Sequence, residues 1–412
     1  MKVLLINHFP LAGSGSGTYT KNLAVQLVEQ GHEVTILFPE NTENYEDIPG
    51  VRLRIVFFTP EDGSPAPGGA LPFNFPCFTT HPRSTKTFGE LTREEFSEYI
   101  DAFKSKLQEE IDRNRPDVIH GQHVWILSSL AVDSGIPLVL TAHGTDLMGF
   151  DNWPEFRRYA QRAMDVCEAV ISISKDNCML LEERFPDSKD KVVMMRNGYD
   201  PAVFYPEALK RIDTLGAFGI TEEELQNKKV VIYAGKLTQM KAVDVLLQAV
   251  KLYEKRLPST MTIIVGDGEE RTLLEEMVKE LNLHSVRFLG NVDQNTLRGL
   301  YNVSDISVVP SRREAFGLVA LEAMACGIPV VATNSGGLPD FVNDEVGVLV
   351  RPEDPADLAD GIMTALLRTE NADVKRWRDE IADYVRTQYA QDTIIHELIE
   401  LYEKSIQQSQ FQ

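Results

Sequence analysis

Two carboxylates, two lysines and three histidines carry the chemistry this sequence offers. Glu314 and Glu322 lie eight positions apart in PSRREAFGLVALEAMACGIPVVAT, residues 310–333. In one continuous helix that spacing would rotate them by about 80° and part them by about 12 Å, which rules out a shared proton. The alternative puts Glu314 in a loop and Glu322 about a turn and a half into a helix that begins near Gly317. The amides of Phe316, Gly317 and Leu318 then crown a helix N-terminus, a ready phosphate site. Carboxylates on either side of it suit a diphosphate flanked by hydroxyl-bearing groups, as in a nucleotide-sugar. Spacing alone leaves a second reading, a buried strand–helix–strand unit with two surface glutamates.

Lys236 and Lys241 follow the apolar run Lys229–Ala234. Lysine is rarely buried, so a pair at the end of a core strand needs an anionic partner; the alternative is two solvated surface lysines. His120 and His123 close one predicted strand in DVIHGQHVW, and His143 closes another in LVLTAHGTDL, three residues before Asp146. Three histidines at neighbouring carboxyl ends of one sheet form a cluster at a ligand-binding edge. A metal site is not supported, because no i, i+4 pair or cysteine partner accompanies them. Asp146 stands where it can orient a histidine or an acceptor hydroxyl.

The elements that must position these residues alternate strand and helix, the pattern of doubly wound parallel sheets. At 412 residues the chain exceeds one core and suggests two domains of about 200 residues each. Strands are predicted at Val3–Ile6, Val34–Phe38, Leu53–Phe57, Val118–His120, Leu138–Thr141, Ala169–Ile173 and Val192–Met195. A second series runs Lys229–Ala234, Thr262–Val265, Val286–Leu289, Ile306–Val309, Pro329–Ala332 and Val346–Val350. Ala12–Gly17, AGSGSG, reads as a glycine turn where the backbone can approach a ligand closely, but it lacks the dinucleotide spacing. Residues 60–92 are too long and too rich in proline and glycine for an ordinary connection. Their phenylalanines Phe73, Phe75 and Phe78, with His81 and Arg83, fit either a lid over an acceptor or a packed surface loop. The final QQSQFQ reads as disordered.

PSRREAFGLVALEAMACGIPVVATNSGGLPD closely resembles the signature of the retaining glycosyltransferases of family 4. Ser172–Ser174, Arg196–Asp200 and Gly235–Lys241 match further wording of that family, so the resemblance covers nearly the whole chain. It implies the GT-B fold: two Rossmann-like α/β domains facing a cleft, 1–204 on the acceptor side and 205–385 on the nucleotide-sugar side. A last helix near 386–407 would pack back on the first domain. By resemblance Gly15, Gly17, Lys236, Lys241 and the amides of Phe316, Gly317 and Leu318 bind the donor diphosphate. Glu314 takes the donor sugar, Glu322 the ribose, and Phe288, Gly290 and Val292 the base. His143 and one of His120 and His123 line the cleft; the family wording is closer to H-x-H than the spacing found here. Ala242 stands where the family has glycine, and Lys236 where it often has arginine. The implied reaction is sugar transfer to an acceptor hydroxyl with retention and without metal. No cofactor is expected beyond a nucleoside-diphosphate sugar as co-substrate, with UDP first among the bases. A GT-B epimerase or hydrolase, or a non-catalytic nucleotide-sugar-binding subunit, is the alternative.

Composition bounds the partners. A net charge of −21 opposes binding to nucleic acid or an anionic bilayer, and the predicted helix Arg93–Arg113 is acidic rather than basic. No run approaches the ~18 apolar residues of a membrane span. Four scattered cysteines without a C-x-x-C pair indicate neither zinc nor a disulfide framework. The cytosol is the expected location.

Overall fold

The computed structural model describes residues 1–79 and 81–409, and the chain divides into two compact units. The first comprises Met1–Met195 with Ile395–Gln412, the second Arg196–Ile394; the division falls before Phe204. In the first unit seven strands run parallel. They are β1 (Lys2–Asn7), β2 (Glu33–Glu40), β3 (Val51–Phe57), β4 (Val118–Gln122), β5 (Leu138–Ala142), β6 (Ala169–Ser172) and β7 (Val192–Met194), in the order β3-β2-β1-β4-β5-β6-β7. Leu4, Leu5 and Ile6 of β1 are sealed from solvent, as a strand covered by helices on both faces must be. The order reverses between β1 and β4, so their carboxyl ends, at Asn7 and Gln122, flank the crevice where such sheets take ligands.

The second unit repeats the plan with six strands: β8 (Lys229–Ala234), β9 (Thr260–Val265), β10 (Val286–Gly290), β11 (Ile306–Val309), β12 (Val330–Thr333) and β13 (Gly347–Val350), in the order β10-β9-β8-β11-β12-β13. Here the switch lies between β8 and β11. The lysine loop leaves the first of these strands and the Glu314 loop the second. Two doubly wound parallel sheets are the fold read from the sequence.

The segment 60–92 is a packed wall. Phe73, Phe75, Phe78 and Phe88 are buried in the core of the first unit, and isolated bridges tie Phe58 to Leu71 and Cys77 to Thr87. Arg83 pairs with Glu40. The phenylalanines therefore anchor a fixed surface. The C-terminal helix runs Gln391–Ser409; Gln407–Ser409, expected to be disordered, are helical, and the last three residues lie outside those described. Among the described residues no helix is long and apolar enough to cross a membrane.

Ala242, the departure from the family's glycine, adopts φ 53° and ψ 42° while fully buried. Left-handed geometry costs a non-glycine residue about 1–2 kcal/mol, against about 0.8 kcal/mol for the one buried methyl. Ala242→Gly is expected to stabilise the protein by up to about 1 kcal/mol; a lower denaturation midpoint would contradict this.

Candidate active site

The second unit assembles its site on the carboxyl rim of the sheet. The Leu318–Ala325 helix starts one residue after Gly317, which serves as its N-cap with φ 103°. A Cβ there would approach Leu338 Cδ2 to 2.6 Å, so both the backbone angle and the close packing demand glycine. No side chain caps this helix, and the amides of Phe316, Gly317 and Leu318 make no hydrogen bond among the described residues. Lys241 Nζ lies 2.6 Å from Glu314 Oε2, and Ser311 Oγ donates to the same oxygen at 3.1 Å. The geometry thus joins one cation, one anchored carboxylate and a row of open amides at the sheet's switch point.

Arg312 holds these loops together. Its guanidinium forms a fork onto Asp244 at 2.8 and 3.0 Å, reaches Glu353 at 2.8 Å and donates to the Gln239 carbonyl. Its amide donates to the Met240 carbonyl at 2.9 Å. The Glu314 loop is thereby tied to both sides of Lys241. Sequence reading missed this pair, since nothing local links Asp244 to an arginine 68 positions away. As a positioning residue, Arg312 acts through Lys241 and Glu314. Arg312→Ala is expected to lower kcat/KM about 10-fold, with partial recovery in Arg312→Lys, which keeps charge without the fork. An unchanged kcat/KM in Arg312→Ala, or equal loss in Arg312→Lys, would refute the role.

Glu322 lies in the same helix, its carboxylate without a hydrogen-bond or ion-pair partner among the described residues. Desolvation by burial pushes it up to about 7. Lys236 follows β8 and is half-buried, and its carbonyl accepts from the Tyr233 hydroxyl. Gly290 ends β10 with φ 77°, and its carbonyl accepts from the Gly266 amide at 2.8 Å. Phe288 and Val292 flank it, partly accessible.

In the first unit Gly15 and Gly17 lie within the first turn of the Gly15–Glu29 helix, rather than in a free loop. The Gly17 amide donates to Ser14 Oγ at 3.0 Å, and a Cβ on Gly17 would come within 2.1 Å of the Pro10 carbonyl. Gly17 therefore serves packing, whereas nothing lies within 4 Å of a Cβ built on Gly15.

The structure separates the two candidate histidines of β4. His120 is locked inside the unit, with ring nitrogens 2.6 Å from the Tyr402 hydroxyl and 2.7 Å from Thr141 Oγ1. His123 stands at the strand end with φ 107°, a strained backbone for a non-glycine residue. Both its ring nitrogens are buried and without a partner. His143 meets it at 4.9 Å between ring centroids and lies 3.0 Å from Gln122 Oε1 through Nε2. His8, which sequence reading passed over, completes the cluster 5.6 Å from His123. Burial lowers His8 to about 3 and His143 to about 4, and His123 falls likewise, so all three are neutral imidazoles near pH 7. Asp146 accepts from the amides of Val124, Gly144 and Leu147. It meets the residue after His123 through the Val124 amide and makes no hydrogen bond to a histidine ring among the described residues. Burial pushes it up to about 6.

Each unit is a doubly wound parallel sheet with its candidate residues gathered at the carboxyl rim beside the switch point, where such sheets take ligands. Two family models match, Glycosyltransferase Family 4 over residues 13–203 and Glycosyl transferases group 1 over 220–381. A D-inositol 3-phosphate glycosyltransferase of Saccharomonospora viridis is 31% identical over 86% of this chain and 82% of its own. Sucrose-phosphate synthase from Thermosynechococcus elongatus superposes with TM-score 0.75 at 21% identity, covering 98% of each chain. An Anabaena protein solved with UDP-glucose gives 0.73 at 18%, covering 98% of this chain and 100% of its own. The chain belongs to the glycosyltransferases of GT-B fold.

Proposed function

We propose that this protein moves a sugar from a nucleoside diphosphate to an acceptor hydroxyl with retention at the anomeric carbon and without a metal ion, as a family 4 enzyme. The observation that carries this reading is the Lys241–Glu314 pair beside the open amides of Phe316–Leu318 at the β8/β11 switch point. Preorganised donors of this kind stabilise charge on a departing diphosphate. In the proposed step the bond from the anomeric carbon to the diphosphate oxygen breaks and a bond to the acceptor oxygen forms on the same face. The acceptor proton passes to an oxygen of the leaving phosphate. Lys241, Lys236 and the helix amides hold the diphosphate, Glu314 the donor-sugar hydroxyls, Glu322 the ribose, and the strand end at Phe288, Gly290 and Val292 the base. The Anabaena fold neighbour solved with UDP-glucose supports a UDP-sugar as donor. The relatives and fold neighbours include a D-inositol 3-phosphate glycosyltransferase and a sucrose-phosphate synthase, so their names do not converge on one substrate or product.

The experiment is release of nucleoside diphosphate from UDP-, GDP- and ADP-sugars, with and without acceptors. Release that requires an acceptor supports transfer. Equal release into water would mark a hydrolase, and binding without release a non-catalytic subunit. Turnover is expected to survive chelation of divalent ions; complete loss restored by magnesium or manganese would overturn metal independence.

A further inference from the structure

In the proposed donor complex the base lies at Phe288, Gly290 and Val292, whose side chains carry no donor or acceptor to tell one base from another. Three neighbouring strands of the second sheet, in the order β10-β9-β8, end at or one residue before a glycine on this rim: Gly290, Gly266 and Gly235. The Gly266 amide donates to the Gly290 carbonyl at 2.8 Å, and the Gly235 amide to the Val265 carbonyl at 3.0 Å. A Cβ on Gly266 would come within 1.9 Å of the Gly235 carbonyl oxygen, so these strand ends close up only because no side chain stands between them. At the β10 end the rim is open. Beyond its own chain neighbours, a Cβ built on Gly290 would meet one atom within 4 Å, Arg271 Nη1 at 3.5 Å.

Arg271 opens the Arg271–Glu280 helix, and its guanidinium is held from two sides. Nη1 donates to Asp267 Oδ2 at 3.0 Å and Nε to Glu275 Oε1 at 2.9 Å. The side chains of Arg271, Asp267 and Glu275 are 30%, 45% and 43% exposed. Pairs so accessible add little to stability; what they fix is the plane of the guanidinium. The loop that carries Asp267 is tied in turn to the lysine loop. The Leu237 amide donates to the Asp267 carbonyl at 2.9 Å, and the Glu270 amide to the Leu237 carbonyl at 3.2 Å. Arg271 and the lysine loop therefore belong to one framework on one rim.

The hydrogens of Nη2 and the second hydrogen of Nη1 have no partner among the described residues. A guanidinium donates and cannot accept. Its unspent N–H groups match a ring carbonyl, which uracil and guanine carry, and oppose the exocyclic amino group that adenine presents instead. Phe288 and Val292 offer only apolar contact, so discrimination at this end of the rim falls to Arg271.

Resting on the glycosyl-transfer reading and its base position, we propose that Arg271 is a specificity-determining residue for the donor, selecting an oxo-base, uracil or guanine, over adenine. The base lies over Gly290 and its ring carbonyl accepts from the unspent N–H groups of Arg271. Asp267 and Glu275 aim the guanidinium at that carbonyl.

The test is calorimetric titration of the full chain with UDP, GDP and ADP, for the parent, Arg271→Ala and Arg271→Lys. The parent is expected to bind UDP or GDP at least about 10-fold tighter than ADP, the lower end for a hydrogen bond to a charged group because Arg271 is partly exposed. The tighter of the two identifies the base. Arg271→Ala is expected to weaken that complex about 10-fold and to leave ADP within about twofold, which also shows the variant folded. Arg271→Lys keeps the charge without the planar fork and is expected to recover little of the preference. Equal loss of all three nucleotides in Arg271→Ala would assign the residue to the diphosphate charge or to the fold and overturn the inference. So would a parent that prefers ADP, or unchanged affinities in Arg271→Ala; both leave glycosyl transfer standing. Binding of none of the three, with no diphosphate released from their sugars, removes the glycosyl-transfer reading and this inference with it.

Discussion

Lys241→Ala is expected to lower kcat about 10²–10³-fold at saturating donor while the protein stays folded. In the proposed donor complex the ground-state diphosphate already carries charge, and Lys241 would contribute part of its binding. As the glycosidic bond breaks, further negative charge develops on the leaving phosphate, and an interaction that grows at that moment appears in kcat. The ligand-free geometry adds a constraint. Lys241 sits 2.6 Å from Glu314, with the two side chains 31% and 11% exposed. Lys241 is partly exposed while Glu314 is buried, so the pair is expected to contribute about 1 kcal/mol, the upper end for exposed pairs, and its loss to lower the melting temperature modestly. Glu314 also keeps its bond from Ser311. The pair therefore serves placement more than stability: each group holds the other at the position its ligand contact requires. Lys255→Ala, an exposed lysine in the same unit, is the control and is expected to leave both kcat and melting temperature near the parent. If Lys241→Ala also turns over like the parent, the placement of the donor diphosphate is wrong.

The lysine loop and the Glu314–Glu322 run of the second unit were legible in the sequence because they are local. Lys241 and the run from Glu314 to Glu322 follow core strands whose β-branched residues announce them, and Gly317 and Gly327 mark the helix ends. Gly317 is the N-cap and Gly327 takes φ 75° just past the last helical residue. What escaped was everything that depends on contacts across the fold. Arg312 drew no reading from the sequence; its fork onto Asp244 exists only because β8 and β11 are neighbours. His8 follows an apolar strand with no local motif to mark it, and only the β1/β4 adjacency sets it against His123. The choice between His120 and His123 needed the alternation of side chains along β4 and the position of Tyr402, 282 residues away. Residues 60–92 offered phenylalanines but no period, and only packing decides whether such rings line a lid or anchor a wall.

Glu322 provides the second large effect, and it is a binding effect with a defined pH dependence. Burial without a partner raises its carboxyl group to about 7 from the ordinary 4.5. A folded-state value above the unfolded one means that the native state holds the proton more tightly. The stability it contributes is full below about pH 4.5 and is lost as pH rises through about 7. On the proposed role, ribose hydroxyls donating to the ionised carboxylate would reverse the preference for the proton. Donor binding is therefore expected to release a proton below pH 7, and affinity to rise with pH up to about 7 and then level off. Hydrogen bonds to a charged group contribute about 1.5–3 kcal/mol, which is about 10–100-fold in affinity. Glu322→Gln should weaken UDP binding by that factor at pH 8 and abolish the proton release, measured by calorimetry in buffers of different ionisation enthalpy. A ribose contact of the proposed kind is the same in ground and transition states, so the loss is expected in donor KM and not in kcat. A variant with unchanged donor KM and sharply reduced kcat would place Glu322 at the reacting centre instead and remove it from the ribose.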